Sequence, residues 1–179
     1  MKVFGIGLNK TGTKSLAACL RYWGLTHVSL NQTAFRLWHE GDIASLAEIA
    51  AVYDSFEDWP WPLLYREFDA RFPGSKFVLT RRKSPEIWFA SLARHALETG
   101  PTEYRKHIYG SYMPQSDEAG HLAFYRRHND DVRAHFAARP LDFVEVCWEE
   151  GHGWDELARF LGLPLPALPF PHVNRGGGL

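Results

Sequence analysis

One segment near the amino terminus governs the predicted architecture: Val3-Phe4-Gly5-Ile6-Gly7-Leu8-Asn9-Lys10-Thr11-Gly12-Thr13-Lys14-Ser15-Leu16. Residues 3–8 are apolar or glycine throughout, a pattern typical of a strand covered on both faces of a parallel sheet. Leu16, Leu20 and Trp23 follow at helical spacing, so they predict one face of a helix packed on that sheet. The segment therefore predicts a buried strand, a tight turn and a helix, in that order.

The turn between this strand and helix carries the groups that bind an oxyanion: Lys10, Thr11, Gly12, Thr13, Lys14 and Ser15. The first backbone N–H groups of a helix have no partner within it, and the helix dipole places positive charge at the same end. Hydroxyls and two ammonium groups add to that field. The turn therefore predicts an anion-binding loop, with an ordinary strand-to-helix turn as the alternative.

The register of the loop distinguishes two kinds of phosphate site. The nucleotide P-loop GxxxxGK[ST] would run from Gly7 to Gly12 and would require lysine at position 13. Position 13 is Thr, and the Lys14-Ser15 pair comes one residue late. The loop therefore departs from the pattern of ATP-dependent phosphotransferases.

The run from Lys10 to Leu16 resembles the 5′-phosphosulfate-binding loop of the sulfotransferase superfamily, in which a strand is followed by [KR][ST]GT, a hydroxyl residue and Leu. Many members have Thr at the position of Lys14. These proteins are related to P-loop nucleotide kinases and use 3′-phosphoadenosine 5′-phosphosulfate (PAPS). The resemblance implies that Lys10 is catalytic and contacts the bridging oxygen. It also implies that the backbone from Thr11 to Ser15 binds the 5′-phosphate, assisted by the hydroxyls of Thr13 and Ser15.

A second motif follows the predicted strand Lys76–Thr80. Arg81 and Arg82 stand at its carboxyl end, Ser84-Pro85 predicts a helix start, and Ser91 comes nine residues after Arg82. This order resembles the 3′-phosphate site of sulfotransferases, where a guanidinium forks two hydrogen bonds to the phosphate. The usual spacing from Arg to Ser is eight residues, so both arginines stay candidates and Arg82 is the favoured one. Close helix packing is the alternative role for Ser91.

The third motif is Asp58-Trp59-Pro60, which begins 24 residues before Arg82. Cytosolic sulfotransferases have a His-Leu-Pro segment at the corresponding place, where the His takes the acceptor proton, and other branches use Glu. The resemblance implies that Asp58 is the catalytic base. Asp is also a favoured helix N-cap, so capping of the helix that follows is an equal alternative. Lesser candidates for the base are Asp54, Glu57 and His95.

Two further segments are predicted to lie close to the ligand-binding site. The glycine-rich stretch 169–178 carries Arg175 and resembles the Arg-Lys-Gly segment that closes over the 3′-phosphate in relatives, with a flexible tail over 172–179 as the alternative. Residues 99–116 contain glycines, prolines and three tyrosines. We interpret them as an irregular cover on the acceptor side.

Composition limits the remaining possibilities. At 179 residues, with 45% hydrophobic and 15% aromatic residues, the chain is predicted to form a single domain over residues 1–179. The net charge of −1 offers no general basic field for nucleic acid. Cys19 and Cys147 stand in apolar segments and are predicted to be reduced core residues. With no signal-peptide layout and no apolar run near 18 residues, we expect a cytoplasmic protein without a membrane span.

Strands and helices alternate along the chain, with a break between two short helices at Gly41-Asp42, a strand predicted over 51–56 and a last helix that ends at Gly162. They predict an α/β fold of three layers, with a central, mostly parallel sheet of about four to five strands flanked by helices, as in P-loop NTPases. The nine histidines show no metal-binding spacing, and no GxSxG motif announces a hydrolase. We therefore expect no metal site. His121, His128 and His135 are seven residues apart and predict a polar stripe on a helix.

Together these motifs predict transfer of a sulfuryl group from PAPS to a hydroxyl or amine, with 3′-phosphoadenosine 5′-phosphate (PAP) as the product. The acceptor is expected to be a small molecule or a glycan. One alternative is a phosphotransferase that uses ATP and Mg²⁺, for which Asp54 would hold the metal. The other is a non-catalytic nucleotide-binding protein on the same fold.

Overall fold

The centre of the molecule is a five-stranded sheet, seen in a computed structural model that describes residues 1–173. Its strands are β1 (Val3–Gly5), β2 (His27–Val28), β3 (Ser55–Phe56), β4 (Lys76–Thr80) and β5 (Phe143–Val146). Their order across the sheet is β2-β3-β1-β4-β5, and every pairing is parallel. The predicted α/β fold with a parallel sheet is confirmed.

Helices cover both faces of this sheet. They are α1 (Thr13–Tyr22), α2 (Gln32–Glu40), α3 (Ile43–Ala51), α4 (Tyr65–Arg71), α5 (Pro85–Thr99), α6 (Glu103–Tyr109), α7 (Glu118–Phe136) and α8 (Trp154–Leu161). On one face, Phe4 and Phe77 pack with Phe136 of α7. On the other face, Val3 and Val78 of the strands belong to the same buried cluster as the apolar sides of α1 and α8. Because neighbouring strand residues point to opposite faces, one short strand contributes to both cores.

Local signals set several helix boundaries as predicted. The break at Gly41-Asp42 separates α2 from α3, and the Asp42 side chain accepts a hydrogen bond from the Ser45 N–H at 3.0 Å. Ser84 caps α5, with Pro85 as the first helical residue. Gly162 ends α8 in the left-handed conformation. These positions confirm that the caps were readable from the sequence.

Three predictions need correction. The strand predicted over 51–56 is only Ser55–Phe56, because α3 continues through Ala51. The segment 99–116 contains α6, so it is more regular than predicted. The three histidines of α7 share one side of the helix, but that side faces the interior: His121 and His128 are buried.

Other features of the described chain concern cysteines, membranes and metals. Cys19 and Cys147 are buried free thiols, as predicted. Within residues 1–173, no helix combines the length and apolar character that crossing a bilayer requires. The same residues contain no group of three or more His, Cys, Asp or Glu side chains placed to hold a metal ion.

Candidate active site

The loop between β1 and α1 lies at the carboxyl edge of the sheet, where open α/β folds bind their ligands. Lys10 has a φ of 68° and Gly12 a φ of 90°, so the chain turns sharply twice within three residues. The Thr11 hydroxyl donates to the Leu8 carbonyl oxygen at 2.6 Å and lies 2.6 Å from the Thr80 hydroxyl of β4. The loop is therefore attached to the neighbouring strand.

Three aromatic side chains fix the outer side of the loop. The Trp88 indole N–H donates to the Asn9 carbonyl at 2.9 Å, and the Tyr109 hydroxyl donates to the Asn9 side-chain oxygen at 2.8 Å. The Trp148 indole N–H donates to the Gly12 carbonyl at 3.1 Å. A Cβ on Gly12 would lie only 2.3 Å from the Trp148 ring, so this position requires glycine. The loop conformation is thus held in place by distant parts of the chain.

Lys10 occupies an electropositive and partly dehydrated position. It is half-buried, and burial is the main cause that lowers the pKa of Lys10. The next cause, the negative charge of Glu98, opposes this shift, and three cations reinforce it: Lys14, Arg82 and Arg94. A cluster of cations around a loop of backbone N–H groups is suited to an anionic ligand.

The two arginines after β4 have different surroundings. Arg82 donates through Nη1 to the Lys10 carbonyl at 3.2 Å and through Nη2 to Glu149 at 2.5 Å. Arg81 instead pairs with Glu145 at 2.5 Å and with Glu150 at 2.6 Å. The structure therefore places the Arg82 guanidinium beside the loop, whereas Arg81 is bound to two carboxylates.

Glu149 was missed by the sequence analysis. It accepts from Arg82 and, at 2.8 Å, from the Lys83 backbone N–H. It lies in a 3₁₀ turn, Trp148–Glu150, which is separated from the end of β5 by one residue. The Tyr125 hydroxyl of α7 accepts from the Arg82 N–H at 2.9 Å. Tyr125 and Glu149, which contact Arg82, are 43 and 67 residues away from it in the chain. No local sequence pattern predicts contacts over such separations.

Two other predicted ligands of the 3′-phosphate have less defined surroundings. Ser91 is half-buried on α5, between Trp88, which contacts the loop, and His95. The pKa of His95 is lowered first by burial and then by the charge of Lys10, so this side of α5 faces the loop. Arg175 lies outside the described residues, but the Val173 N–H donates to the Ser15 hydroxyl at 3.0 Å. The end of the described chain therefore contacts the first turn of α1.

Asp58 follows β3 at the same edge of the sheet and has a φ of 63°. Its carboxylate accepts from the adjacent Trp59 N–H at 2.9 Å, whereas Pro60 is the residue that precedes the 3₁₀ turn Trp61–Leu64. The expectation that Asp58 caps the following helix does not match this geometry. Burial and then the negative charge of Glu57 raise the pKa of Asp58 to about 6, and Lys14 and Lys10 oppose that rise.

The other acidic candidates lie in different places. Asp54 precedes β3 and accepts hydrogen bonds from the Thr26 hydroxyl at 2.6 Å and from its N–H at 2.9 Å. These contacts lower the pKa of Asp54 and hold it toward the amino ends of β2 and β3, away from the loop. Glu57 is buried beside Asp58, where the Ser29 hydroxyl donates to it.

Comparisons with known proteins identify the family of this chain. A family model described as a sulfotransferase domain matches residues 2–108 and 99–179. Among curated proteins, Ava biosynthesis cluster protein M from Aspergillus versicolor is 24% identical over 217 aligned positions. That alignment covers 99% of this chain and 82% of the relative, whose name states no reaction. Since the family matches extend over nearly the whole sequence, the chain belongs to the sulfotransferase-domain family.

Proposed function

We propose that this protein transfers a sulfuryl group from PAPS to a hydroxyl or amine acceptor. The observation that carries the proposal is the junction of two anion-binding elements: the Arg82 guanidinium, from the end of β4, donates to the Lys10 carbonyl of the loop at 3.2 Å. Two cationic side chains at the ends of adjacent strands suit a ligand with two separate anionic groups.

The donor set of the loop fits a phosphosulfate. Backbone N–H groups from Thr11 to Ser15, at the positive end of α1, would bind the 5′-phosphate, with the hydroxyls of Thr13 and Ser15 assisting. Lys10 would contact the bridging oxygen and offset the charge that develops on the departing phosphate. Sulfuryl transfer asks little covalent work of a protein, so positioning and charge neutralisation would supply most of the catalysis.

Arg82 and Ser91 would bind the 3′-phosphate, and Arg175 would join them from the carboxyl-terminal segment. Arg81 is not assigned to the ligand, because its guanidinium is already bound by Glu145 and Glu150. Lys14 is exposed at the second residue of α1 and would contribute charge near the 5′-phosphate.

Asp58 would accept the proton of the acceptor. A carboxyl with a pKa of about 6 is mostly ionised at neutral pH, yet it is a stronger base than an ordinary aspartate. Burial is the main cause that raises the pKa of Tyr109, and the negative charge of Asp58 is the second. Because this effect requires proximity, α6 lies close to the proposed base. This supports α6 as part of the acceptor side, where aromatic rings of Trp59 and Tyr109 pack edge to face. A small molecule or a glycan would be the acceptor.

The ATP-dependent alternative loses its proposed metal ligand, since Asp54 lies toward the opposite edge of the sheet and is bound to Thr26. The non-catalytic alternative keeps the loop and Arg82 but needs no base. Activity of an Asp58 variant therefore separates a transferase from a binding protein.

Calorimetric titration tests the choice of nucleotide. We expect PAP to bind at least about tenfold more tightly than ADP with Mg²⁺, a difference of about 1.4 kcal/mol. Arg82→Met should weaken PAP binding, whereas the matched variant Arg81→Met should leave it nearly unchanged. Preference for ADP with Mg²⁺ would contradict the proposal. Transfer of label from PAPS to a panel of phenols, alcohols and sugars then tests the reaction itself.

A further inference from the structure

Glu57 is a buried carboxylate with no role in the mechanism above. Only 1% of its surface is exposed, although it directly precedes Asp58. The Ser29 hydroxyl donates to Glu57 Oε1, and His27 Nε2 lies 3.6 Å from the same oxygen. Among the residues described, neither Glu57 Oε2 nor His27 Nε2 has a hydrogen-bond partner. Buried polar atoms left in this way are costly, so the position calls for a functional explanation.

The contacts of Glu57 join two strands at the carboxyl edge of the sheet. Ser29 follows β2, and the Glu57 N–H donates to the Val28 carbonyl of that strand at 3.3 Å. Glu57 thus connects the end of β3 to the end of β2 through both its backbone and its side chain.

We propose that Glu57 is a positioning residue that anchors the backbone carrying Asp58 to the end of β2 and, by its buried negative charge, sets the strength of that base. This inference rests on the proposed function, because it assigns a partner to the proposed base. Glu57 does not contact the substrate in this account and acts only through Asp58.

The charge state of Glu57 supports this role. Burial by itself would raise the pKa of Glu57, but interactions with the His27 ring and the Ser29 and Thr13 side chains outweigh it and hold the pKa below its ordinary value. Glu57 is therefore ionised at neutral pH, with His27 as the titratable group that faces it.

Asp58 experiences this charge together with several others. Burial is the largest cause that raises the pKa of Asp58, and the negative charge of Glu57 is the second. Lys14 and Lys10 on the loop lower this pKa. Tyr109 of α6 faces the same carboxylate. Removing the negative charge of Glu57 leaves burial alone to oppose the two lysines, so Asp58 becomes a weaker base that stays ionised to lower pH.

The pH profile of kcat/KM measures this effect. The pKa of Asp58 predicts an acid limb near pH 6 for the wild-type protein. In Glu57→Gln we expect this limb to move down by roughly half a unit or more, with a several-fold loss on the plateau. Ser29→Ala is the matched control, because it removes a hydrogen bond to Glu57 but keeps the charge. Its acid limb should stay in place. A uniform loss across all pH values in Glu57→Gln, without a shift, would overturn the inference.

A second measurement needs neither activity nor a stable variant. Carboxyl ¹³C NMR titration of the wild-type protein should show Glu57 ionised throughout the range in which Asp58 titrates. A protonated Glu57 at neutral pH would overturn the inference. If the wild-type protein neither binds PAP nor uses PAPS, the proposed function fails, and the titration still reports separately on the coupling of the two carboxyls.

Discussion

The proposed role of Asp58 as a base can be tested directly, because neighbouring groups shift its pKa in opposite directions. Burial and Glu57 favour the neutral acid, and the loop lysines favour the carboxylate, which leaves a pKa of about 6. Its hydrogen bond to the Trp59 N–H orients one oxygen. In the proposed reaction, the other oxygen would accept the proton of the acceptor.

We expect Asp58→Asn to lower kcat by about 10²-fold or more, the usual contribution of a general base. The asparagine keeps the shape and the hydrogen bond from Trp59, so PAP affinity should change by less than about twofold. In the wild-type protein, activity should fall as the pH drops through about 6, because protonation removes the base. Full turnover in Asp58→Asn would exclude Asp58 from the mechanism.

The two loop lysines differ in burial and should differ in effect. Lys10 is half-buried among cations, whereas Lys14 is exposed. Lys10→Met should lower kcat by about 10²- to 10³-fold, as loss of a transition-state charge partner does. Lys14→Met, a matched loss of charge four residues away, should cost less than about tenfold. Equal losses in single-turnover measurements would contradict the assigned role of Lys10.

At the level of elements, the 3₁₀ turn after β5 presents two consecutive carboxylates to two consecutive arginines. Glu149 pairs with Arg82 and Glu150 with Arg81. A 3′-phosphate on Arg82 must compete with Glu149, whereas nothing in the proposal competes with Glu150. The turn therefore offers two neighbouring variants with different expected outcomes.

Glu149→Gln should tighten PAP binding by about threefold to tenfold, because it removes a competing and repelling charge. Glu150→Gln should leave PAP affinity unchanged within about twofold. Calorimetry on both variants gives the comparison, and circular dichroism checks their folding. Tighter binding in Glu150→Gln alone would reassign the 3′-phosphate to Arg81.

The sequence predicted those elements whose signals are local. The apolar run, the loop and the helix stripe gave β1 and α1, and Ser84-Pro85 gave the start of α5. The start of β3 was predicted too early, at Ala51, which is the last residue of α3. A strand of two residues is too short to show a period of two, so the sequence could not mark its bounds. The role of Asp58 as a cap or a base was also undecidable, since both rely on where its carboxylate points.

The parts of the site that the sequence did not reveal depend on contacts between distant residues. Trp148 contacts Gly12 across 136 positions, and Glu149 contacts Arg82 across 67. Neither contact has a spacing that a motif records. The burial of His128 could not be predicted for the same reason, because it depends on which side of α7 packs against the sheet.

At the scale of the whole molecule, His128 connects a covering helix to the strand that leads into the loop. Its Nε2 lies 2.8 Å from the Ile6 carbonyl oxygen, and since a carbonyl only accepts, Nε2 carries the proton. Burial is the main cause that lowers the pKa of His128, although the Ile6 carbonyl opposes it. The native state therefore prefers the neutral ring.

This preference makes the stability of the protein depend on pH. Between the native and unfolded pKa values, the unfolded state binds more protons at His128, so stability rises with pH. Above a pH of about 6.5, the ordinary pKa of histidine, His128 is neutral in both states and costs no stability. As the pH falls below that value, the unfolded state gains a proton at His128 and the native state loses stability. Asp58 acts in the opposite direction between about 4 and 6, because the folded protein holds its proton more tightly.

Because these groups overlap, a comparison of variants isolates the histidine. His128→Gln keeps an amide donor for the Ile6 carbonyl but does not titrate. Urea unfolding at pH 8, 7, 6 and 5 should therefore show a smaller loss of stability on acidification than in the wild-type protein, by at most about 1.4 kcal/mol per pH unit. His107→Gln, at an exposed position of α6, should retain the full dependence. If both variants follow the wild-type curve, protonation of His128 does not limit stability.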